Sequence, residues 1–316
     1  MSALRLGTRA SKLALAQSQA VAEAITSTSG RVVELVEITT RGDVSQDPLA
    51  RIGGTGVFVN ALREALLAGT VDLAVHSLKD LPTAPARGLV VAAIPTRQDP
   101  RDVVCARDGL TLGELPEGSL VGTGAPRRAA QIKALGMGLK IVDVRGNVDT
   151  RLAKVANGDL DAVILARAGL ARLGRLDDVT ETLDPIQVLP APGQGALAVE
   201  CRNNDTELID LLAVLDDRTT RSAVTAERTL LAALEAGCSA PVGAYAEAAE
   251  GDEGLELYLR AVVVSPDGAV SIRKSATGPL DAAEQLGRDL AAELLADGAG
   301  AVVDARDRAP KEETVP

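Results

Sequence analysis

From Leu4 onward the chain alternates short β-type runs with helix-type runs: LRLGTR, KLALAQSQAVAEAI, VVELVEI, VFVNALREALLAG and VDLAVHS. That order restricts the fold more than any other feature, because strands interleaved with amphipathic helices close into a parallel or mixed sheet with helices on its faces. A second series follows Pro95, with DVVCA, LVGTG, PRRAAQIKALG, LKIVDVRG, a helix from about Val148 to Ala156, and DAVILAR. Two similar α/β units are expected. ALAVEC at 196–201 reads as a strand lying beyond the second unit, and the PAPGQG before it as a crossing back toward the first. Helices at about 206–215 and 219–236, a hairpin on the PDG turn of LELYLRAVVVSPDGAVSIRKSA, and an amphipathic helix near 281–295 make a smaller α+β unit.

The expected domains are therefore 1–96 with 196–216, 100–190, and 218–304, followed by a charged tail, 305–316, expected to be disordered. A length of 316 residues suits this division. No apolar run approaches the roughly 18 residues that a membrane span needs. Gln17, Ser18 and Gln19 interrupt the N-terminal apolar stretch too early for a signal peptide, so a cytoplasmic protein is expected. A net charge of −11 opposes binding to nucleic acid.

The three cysteines, Cys105, Cys201 and Cys238, fit neither a disulfide framework nor a CxxC metal pair. Cys105 and Cys201 sit in apolar strand-like runs, where a buried inert thiol is expected. Cys238 differs. It lies in EAGCSAPVGA, a loop of small residues after a glycine that ends a helix. The single histidine, His76, excludes a multi-histidine metal site, and no metal is expected.

Of the 33 basic residues seven are lysine, leaving 26 arginines. Several of these follow strand ends, where open α/β sheets bind ligands. In VGTGAPRRAA a glycine turn leads into a helix with Pro126 in its first position, so free backbone N–H groups and the charges of Arg127 and Arg128 converge on an anion. A dinucleotide fingerprint fails here, because the third glycine position is Arg127. RGNVDTR repeats the arrangement, with Arg145 and Arg151 flanking a helix start capped by Asn147. Arg9 and Ser11 follow LRLGT, and Arg167 and Arg172 follow DAVIL. A shared polyanion site follows from this recurrence. HSLKDLP sets Lys79 and Asp80 just past a strand end facing the same cleft, with Asp80 suited to stabilise a positively charged intermediate. The stretch RGDVSQDPLARIGGTGVF lacks the GK[ST] ending of a P-loop and reads as a lid. A binding module that senses anions without chemistry would share these features, except for a use for Cys238.

With HSLKDLP, DPRDVV, GTGAPRR, RGNVDTRLAK, PGQGALAVEC and AERTLLAALEAGCSAPVGA in order, the chain resembles the porphobilinogen deaminases, also called hydroxymethylbilane synthases, from about Leu4 to beyond Gly243. The resemblance implies two periplasmic-binding-protein-like α/β domains with the cleft between them, a smaller C-terminal α+β domain, and a monomer. It implies a dipyrromethane cofactor joined by a thioether to Cys238, and a transferase of tetrapyrrole biosynthesis that condenses four porphobilinogen units into hydroxymethylbilane with release of ammonia. Each pyrrole brings an acetate and a propionate, which accounts for the arginines.

Carried over by position, Asp80 contacts pyrrole N–H groups, with Lys79 beside it. The cofactor is held by Lys79, Asp80, Thr123, Ala125, Arg127, Arg128 and Arg151. Arg9, Ser11, Arg145, Arg151 and Arg172 take substrate carboxylates, and Phe58 is a lid aromatic. The chain departs from the family pattern at Gly124 and Ala125, commonly serines, and in the lid at Arg51 and Thr55, commonly lysine in some members.

Overall fold

The computed structural model describes residues 2–38, 56–234, 241–251 and 254–304. The lid stretch with Arg51 and Thr55, the segment holding Cys238, and the charged tail lie outside the described residues.

The first five-stranded sheet contains β1 (Leu4–Thr8), β2 (Val33–Glu37), β3 (Leu73–Ser77), β4 (Leu89–Ala93) and β10 (Leu197–Arg202), in the order β2-β1-β3-β10-β4. β1 runs parallel to β2 and β3, whereas β10 is antiparallel to both β3 and β4. The second sheet contains β5 (Asp102–Ala106), β6 (Leu120–Gly122), β7 (Lys140–Val142), β8 (Ala162–Ala166) and β9 (Glu181–Thr182), in the order β7-β6-β8-β5-β9. Its pattern is the same: β6 parallel to β7 and β8, and β5 antiparallel to β8 and β9. In each sheet the antiparallel fourth strand is the one reached by a crossing of the chain, outward through 94–101 into β5 and back through 190–196 into β10. The two expected α/β units are thus one topology used twice.

Local chemistry explains the helices that flank the first sheet. α1 (Lys12–Ser29) begins where the Ser11 side chain accepts the Ala14 N–H at 3.3 Å, and it ends on Gly30 at φ 69°, whose N–H donates to the Thr26 carbonyl. Its stripe of Val21, Ala22 and Ile25 is buried against Leu4, Leu6 and Leu73. α2 (Gly56–Leu67) buries Leu62 and Leu66 beside Val71 and Ala74. Each such leucine contributes roughly 1.5–3 kcal/mol of burial. The second sheet carries α3 (Pro126–Ala134), α4 (Val148–Ala156) and α5 (Arg167–Arg172). Pro126 stands at the start of α3, and the Asn147 side chain caps α4 by accepting the Thr150 N–H at 2.9 Å. α6 (Thr206–Ala213) returns to the core of the first sheet through Leu208 and Leu212.

The third unit packs α7 (Arg218–Ala233), α8 (Ala283–Ala296) and α9 (Ala299–Asp304) on one three-stranded antiparallel sheet, β11 (Val242–Gly251), β12 (Gly254–Val264) and β13 (Ser271–Pro279). The hairpin expected from the PDG turn is β12–β13. β11 was not anticipated, since VGAYAEAAEG carries little β propensity. It becomes a strand because it pairs with β12 from Val242↔Val263 to Gly251↔Gly254, with Val242, Ala244 and Ala246 buried in the core. The edge strand β4 likewise lay unmarked in the sequence.

Cys105 and Cys201 are buried free thiols, and burial pushes them up to about 12 and about 11. His76 is buried in β3, its Nε2 3.2 Å from the Glu200 carboxylate, which also takes a bidentate pair of bonds from Arg63. The lone histidine therefore belongs to the packing of the first unit.

Candidate active site

The carboxyl ends of the parallel strands from both α/β sheets converge between the two units. From the first sheet come Arg9 and Ser11 after β1, and Lys79 and Asp80 in a single 3₁₀ turn, Leu78–Asp80, after β3. From the second come Thr123 to Arg128 after β6, Asp143 to Arg151 after β7, and Arg167 to Arg172 after β8. Lys12 on α1 reaches across to Asp149 on α4 at 2.8 Å, and a Cβ added at Gly169 of α5 would lie 3.9 Å from Leu13 of α1. The Lys12 pair is largely exposed and contributes about 0–1 kcal/mol. Phe58 falls in the first turn of α2, and its side chain lies outside the described residues.

Gln194, on the returning crossing, joins the two halves. Its amide nitrogen donates to the Pro100 carbonyl at 2.6 Å and to Asp102 Oδ1 at 2.8 Å. Its amide oxygen accepts from Lys79 Nζ at 3.3 Å and from Arg128 Nη2 at 3.5 Å. One buried side chain thus touches the first unit, the second unit and both crossings.

Arg127 and Arg128 point inward, 4% and 5% exposed. Asp102, fully buried at the start of β5, accepts Arg127 Nη2 at 2.7 Å and Arg128 Nε and Nη2 at 3.0 and 2.7 Å. Arg127 also donates to the Leu189 carbonyl, and Arg128 to the Ile164 carbonyl at 3.1 Å. Burial alone would raise the Asp102 carboxyl, but the two guanidiniums reverse this and hold it well below the usual carboxylate range. A guanidinium has five donors, more than the two bonds that Arg127 makes among the described residues. Asp102 thus fixes both guanidiniums from one side.

Burial acts on three further cations of the set. Burial pushes Lys79 down to about 8, Arg127 and Arg128 push the same way, and Asp80 and Asp102 only partly oppose them. Arg172, whose Nη2 donates to the Gly195 carbonyl at 2.7 Å, is pushed down to about 10 by burial. Arg151, bonded through Nε to the Gly146 carbonyl at 2.9 Å, is lowered first by burial and then by Arg128 and Arg145. Lys79 and Arg151 are thus lowered by burial and by neighbouring cations, and Arg172 by burial alone. A polycarboxylate fits this set, because each bound carboxylate replaces lost hydration and screens one cation from the next.

The turn after β6 differs from the others. Ala125 occupies the N-cap of α3 and offers no side-chain acceptor, and the Thr123 hydroxyl takes the Ala125 N–H at 3.3 Å. At Gly124 an added Cβ would lie 2.7 Å from the Val144 carbonyl oxygen, so the turn and the strand end of β7 approach closely only with glycine there. A serine at position 124, common in the family, has no room in this geometry without a shift of Val144.

Ser11, Arg145 and Asp80 complete the set. The Ser11 hydroxyl accepts the Ala14 N–H as the α1 cap, a bond that does not use its own O–H donor. Arg145 pairs with Asp143 at 3.1 Å in solvent. Asp80 is exposed, between the buried Leu78 and Leu81.

Sequence comparison identifies the family. The model described as "Porphobilinogen deaminase, dipyromethane cofactor binding domain" matches residues 4–210, and the family's C-terminal domain matches 222–296. The chain belongs to the porphobilinogen deaminase family. It is 61% identical to porphobilinogen deaminase 1 of Streptomyces coelicolor, over 96% of this chain and 98% of that one. It is also 61% identical to the porphobilinogen deaminase of Mycobacterium tuberculosis H37Rv, over 94% and 97%. A periplasmic substrate-binding protein of an ABC transporter from Coxiella burnetii is superposable at a TM-score of 0.44 and 16% identity, covering 67% of this chain and 91% of that one. As a porphobilinogen deaminase the chain is a transferase of tetrapyrrole biosynthesis, and it carries the family's dipyrromethane-binding domain.

Several residues that organise this candidate site were not singled out in the sequence. Asp102 begins an apolar run that reads only as a core strand. Gln194 lay within the recognised PGQG crossing, but nothing local marks its side chain as the link between the halves. Arg97 and Glu227, which bind the crossings to the third unit, are separated by 130 residues.

Proposed function

We propose that the crevice between the two α/β units is where porphobilinogen is polymerised into hydroxymethylbilane, with Asp80 as the group nearest the reacting atoms. The observation that carries this assignment is the convergence on Gln194 of Lys79 from one sheet and the Arg127–Arg128–Asp102 cluster from the other. The units divide at 1–96 with 196–216, 100–190 and 218–304. Lys79, Arg127, Arg128 and Arg151 would hold dipyrromethane, with the Thr123–Ala125 backbone beside them and Cys238 as its thioether anchor. When bound, that group supplies the nucleophilic pyrrole α-carbon that starts the chain.

The residues of this chain perform the remaining tasks. Asp80, an exposed carboxylate beside the cations of the crevice, accepts pyrrole N–H groups and stabilises the positive charge that develops on substrate as ammonia leaves. Lys79 next to it, which burial pushes down to about 8, balances arriving carboxylates as an ammonium. Arg127 and Arg128, immobilised on Asp102, meet carboxylates without loss of rotamer freedom. Arg9, Ser11, Arg145, Arg151 and Arg172 receive the acetate and propionate groups of incoming rings, and Phe58 closes over them. The protein works as a monomer in the cytoplasm, with porphobilinogen as its small-molecule partner and no nucleic acid or membrane partner. No helix among the described residues is long and apolar enough to cross a membrane.

Intact-mass measurement tests the proposal. Protein from cells that make porphobilinogen should exceed its sequence mass by two deaminated porphobilinogen units, Cys238→Ala should lack the increment, and Arg127→Leu should fail to retain it. A bare wild-type mass would overturn the anchor assignment. Asp80→Ala should keep the increment and lose nearly all turnover, and undiminished turnover would remove Asp80 from its role.

A further inference from the structure

The turn that carries Asp80 is secured from outside its own sheet. Leu78 and Leu81 are buried at 2% and 1% exposure, the Leu78 N–H donates to the Ala196 carbonyl at 3.1 Å, and the Leu81 N–H closes the turn on the Leu78 carbonyl at 3.1 Å. From α7 of the third unit, Arg228 donates Nη1 to the Leu78 carbonyl at 3.1 Å and to the Leu81 carbonyl at 3.0 Å, and Nη2 to the Pro82 carbonyl at 2.7 Å. These carbonyls bracket Asp80 on both sides. The preceding residue on the helix, Glu227, takes Arg97 of the outgoing crossing and the Gly193 N–H of the returning one. One helical turn of the third unit therefore holds the crossings and the Asp80 turn together.

We propose that Arg228 is a positioning residue for the reaction: its planar fork fixes the 78–82 backbone so that the Asp80 carboxylate meets the substrate pyrrole in a single place. The proposal rests on the assignment of Asp80 made above. The physical requirement is directional. Carbonyls on both sides of Asp80 must be met from one point, which a guanidinium does with fixed geometry and an ammonium does not. A displacement of the carboxylate by about 1 Å is enough to cost on the order of 100-fold in rate. Binding of substrate carboxylates lies with other residues, so the effect belongs to the chemical step.

A staple that merely holds α7 to the first unit would behave differently, and Arg221 provides the comparison. It lies on the same helix and donates Nη2 to the Val91 and Ala92 carbonyls at 3.3 Å and Nε to Asp216 at 2.7 Å, away from the Asp80 turn. Cofactor increment by intact mass, thermal midpoint, kcat and KM for porphobilinogen would be measured on Arg228→Met, Arg228→Lys and Arg221→Met. In both Arg228 variants the mass increment and KM should stay within about twofold of wild type. Their kcat should fall by roughly 10- to 100-fold, with lysine the milder. Arg221→Met should lose comparable thermal stability and keep kcat within about twofold. If both Arg228 variants match Arg221→Met in kcat, the inference is wrong, and Arg228→Lys decides alone should the methionine variant not fold. Asp80→Ala run in parallel separates the two assignments. Turnover surviving in that variant removes the Asp80 role and this inference with it, whereas its loss beside unaltered Arg228 variants overturns this inference only.

Discussion

Arg97 and Glu227 form an enclosed ion pair, Nη1 to Oε1 at 2.6 Å and Nη2 to Oε2 at 3.1 Å, with side chains 9% and 0% exposed. The same carboxylate accepts the Gly193 and Ala246 N–H groups at 2.6 and 2.8 Å, so its four bonds tie both crossings to α7 and β11. Removing one partner of a buried pair costs about 3–5 kcal/mol, because the other charge is left without compensation. Glu227→Gln should lower unfolding free energy by about that amount, read from urea denaturation. A change below 1 kcal/mol would show that the amide replaces the carboxylate at this junction.

Asp102 yields a prediction for acid. A carboxyl held below its ordinary value contributes stability that is complete above the unfolded value of about 4 and disappears as pH falls through the folded value. Asp102→Asn leaves Arg127 and Arg128 facing each other without the carboxylate. It should be less stable than wild type at pH 7 by about 3–5 kcal/mol, and the difference should shrink steadily from pH 4 toward pH 2. Unfolding curves at several acid pH values check this, and a constant difference across that range would contradict it.

Lys79 behaves in the opposite sense. Its folded value, about 8, lies below the ordinary 10.5, so the unfolded chain holds the proton more tightly and stability rises with pH between those limits. In cofactor-free protein, wild type should gain stability from pH 8 to 10.5 relative to Lys79→Met. Bound carboxylates restore the ammonium, so the cofactor-loaded protein should show less of this rise. Equal pH slopes in wild type and variant would mean that the crevice does not desolvate the lysine.

Gly195 stands at φ +89°, where an added Cβ would fall inside contact distance of the Gln98 carbonyl oxygen of the other crossing. Both the backbone and the space demand glycine. Gly195→Ala should destabilise the protein by about 1–3 kcal/mol from the backbone term alone. It should also loosen the bond from Arg172 to the Gly195 carbonyl, which would appear as a raised KM for porphobilinogen. An unchanged thermal midpoint would refute the packing argument.

The architecture was legible because it rests on local pattern. Ser11 and Asn147 cap helices as their positions suggested, Pro126 opens α3, and the helix from Val148 to Ala156 lies where its periodicity placed it. The candidate site was legible as a set of residue types at strand ends, which parallel topology sends to one edge. β11 escaped notice because its alanines and glutamates have no intrinsic preference for a strand, and pairing with β12 supplies it.

By itself, then, the sequence determined the alternation of most strands and helices, the return crossing, and the recurrence of cations after strand ends, since caps, periodicities and charge are properties of neighbouring residues. Only the tertiary structure decided that Arg127 and Arg128 are braced by Asp102, that Gln194 joins the two sheets, and that Arg228 reaches the Asp80 turn from another unit. Those contacts bring together residues dozens to more than a hundred positions apart, and burial makes each of them count, because a charge taken out of water is held only by the partners that folding places beside it.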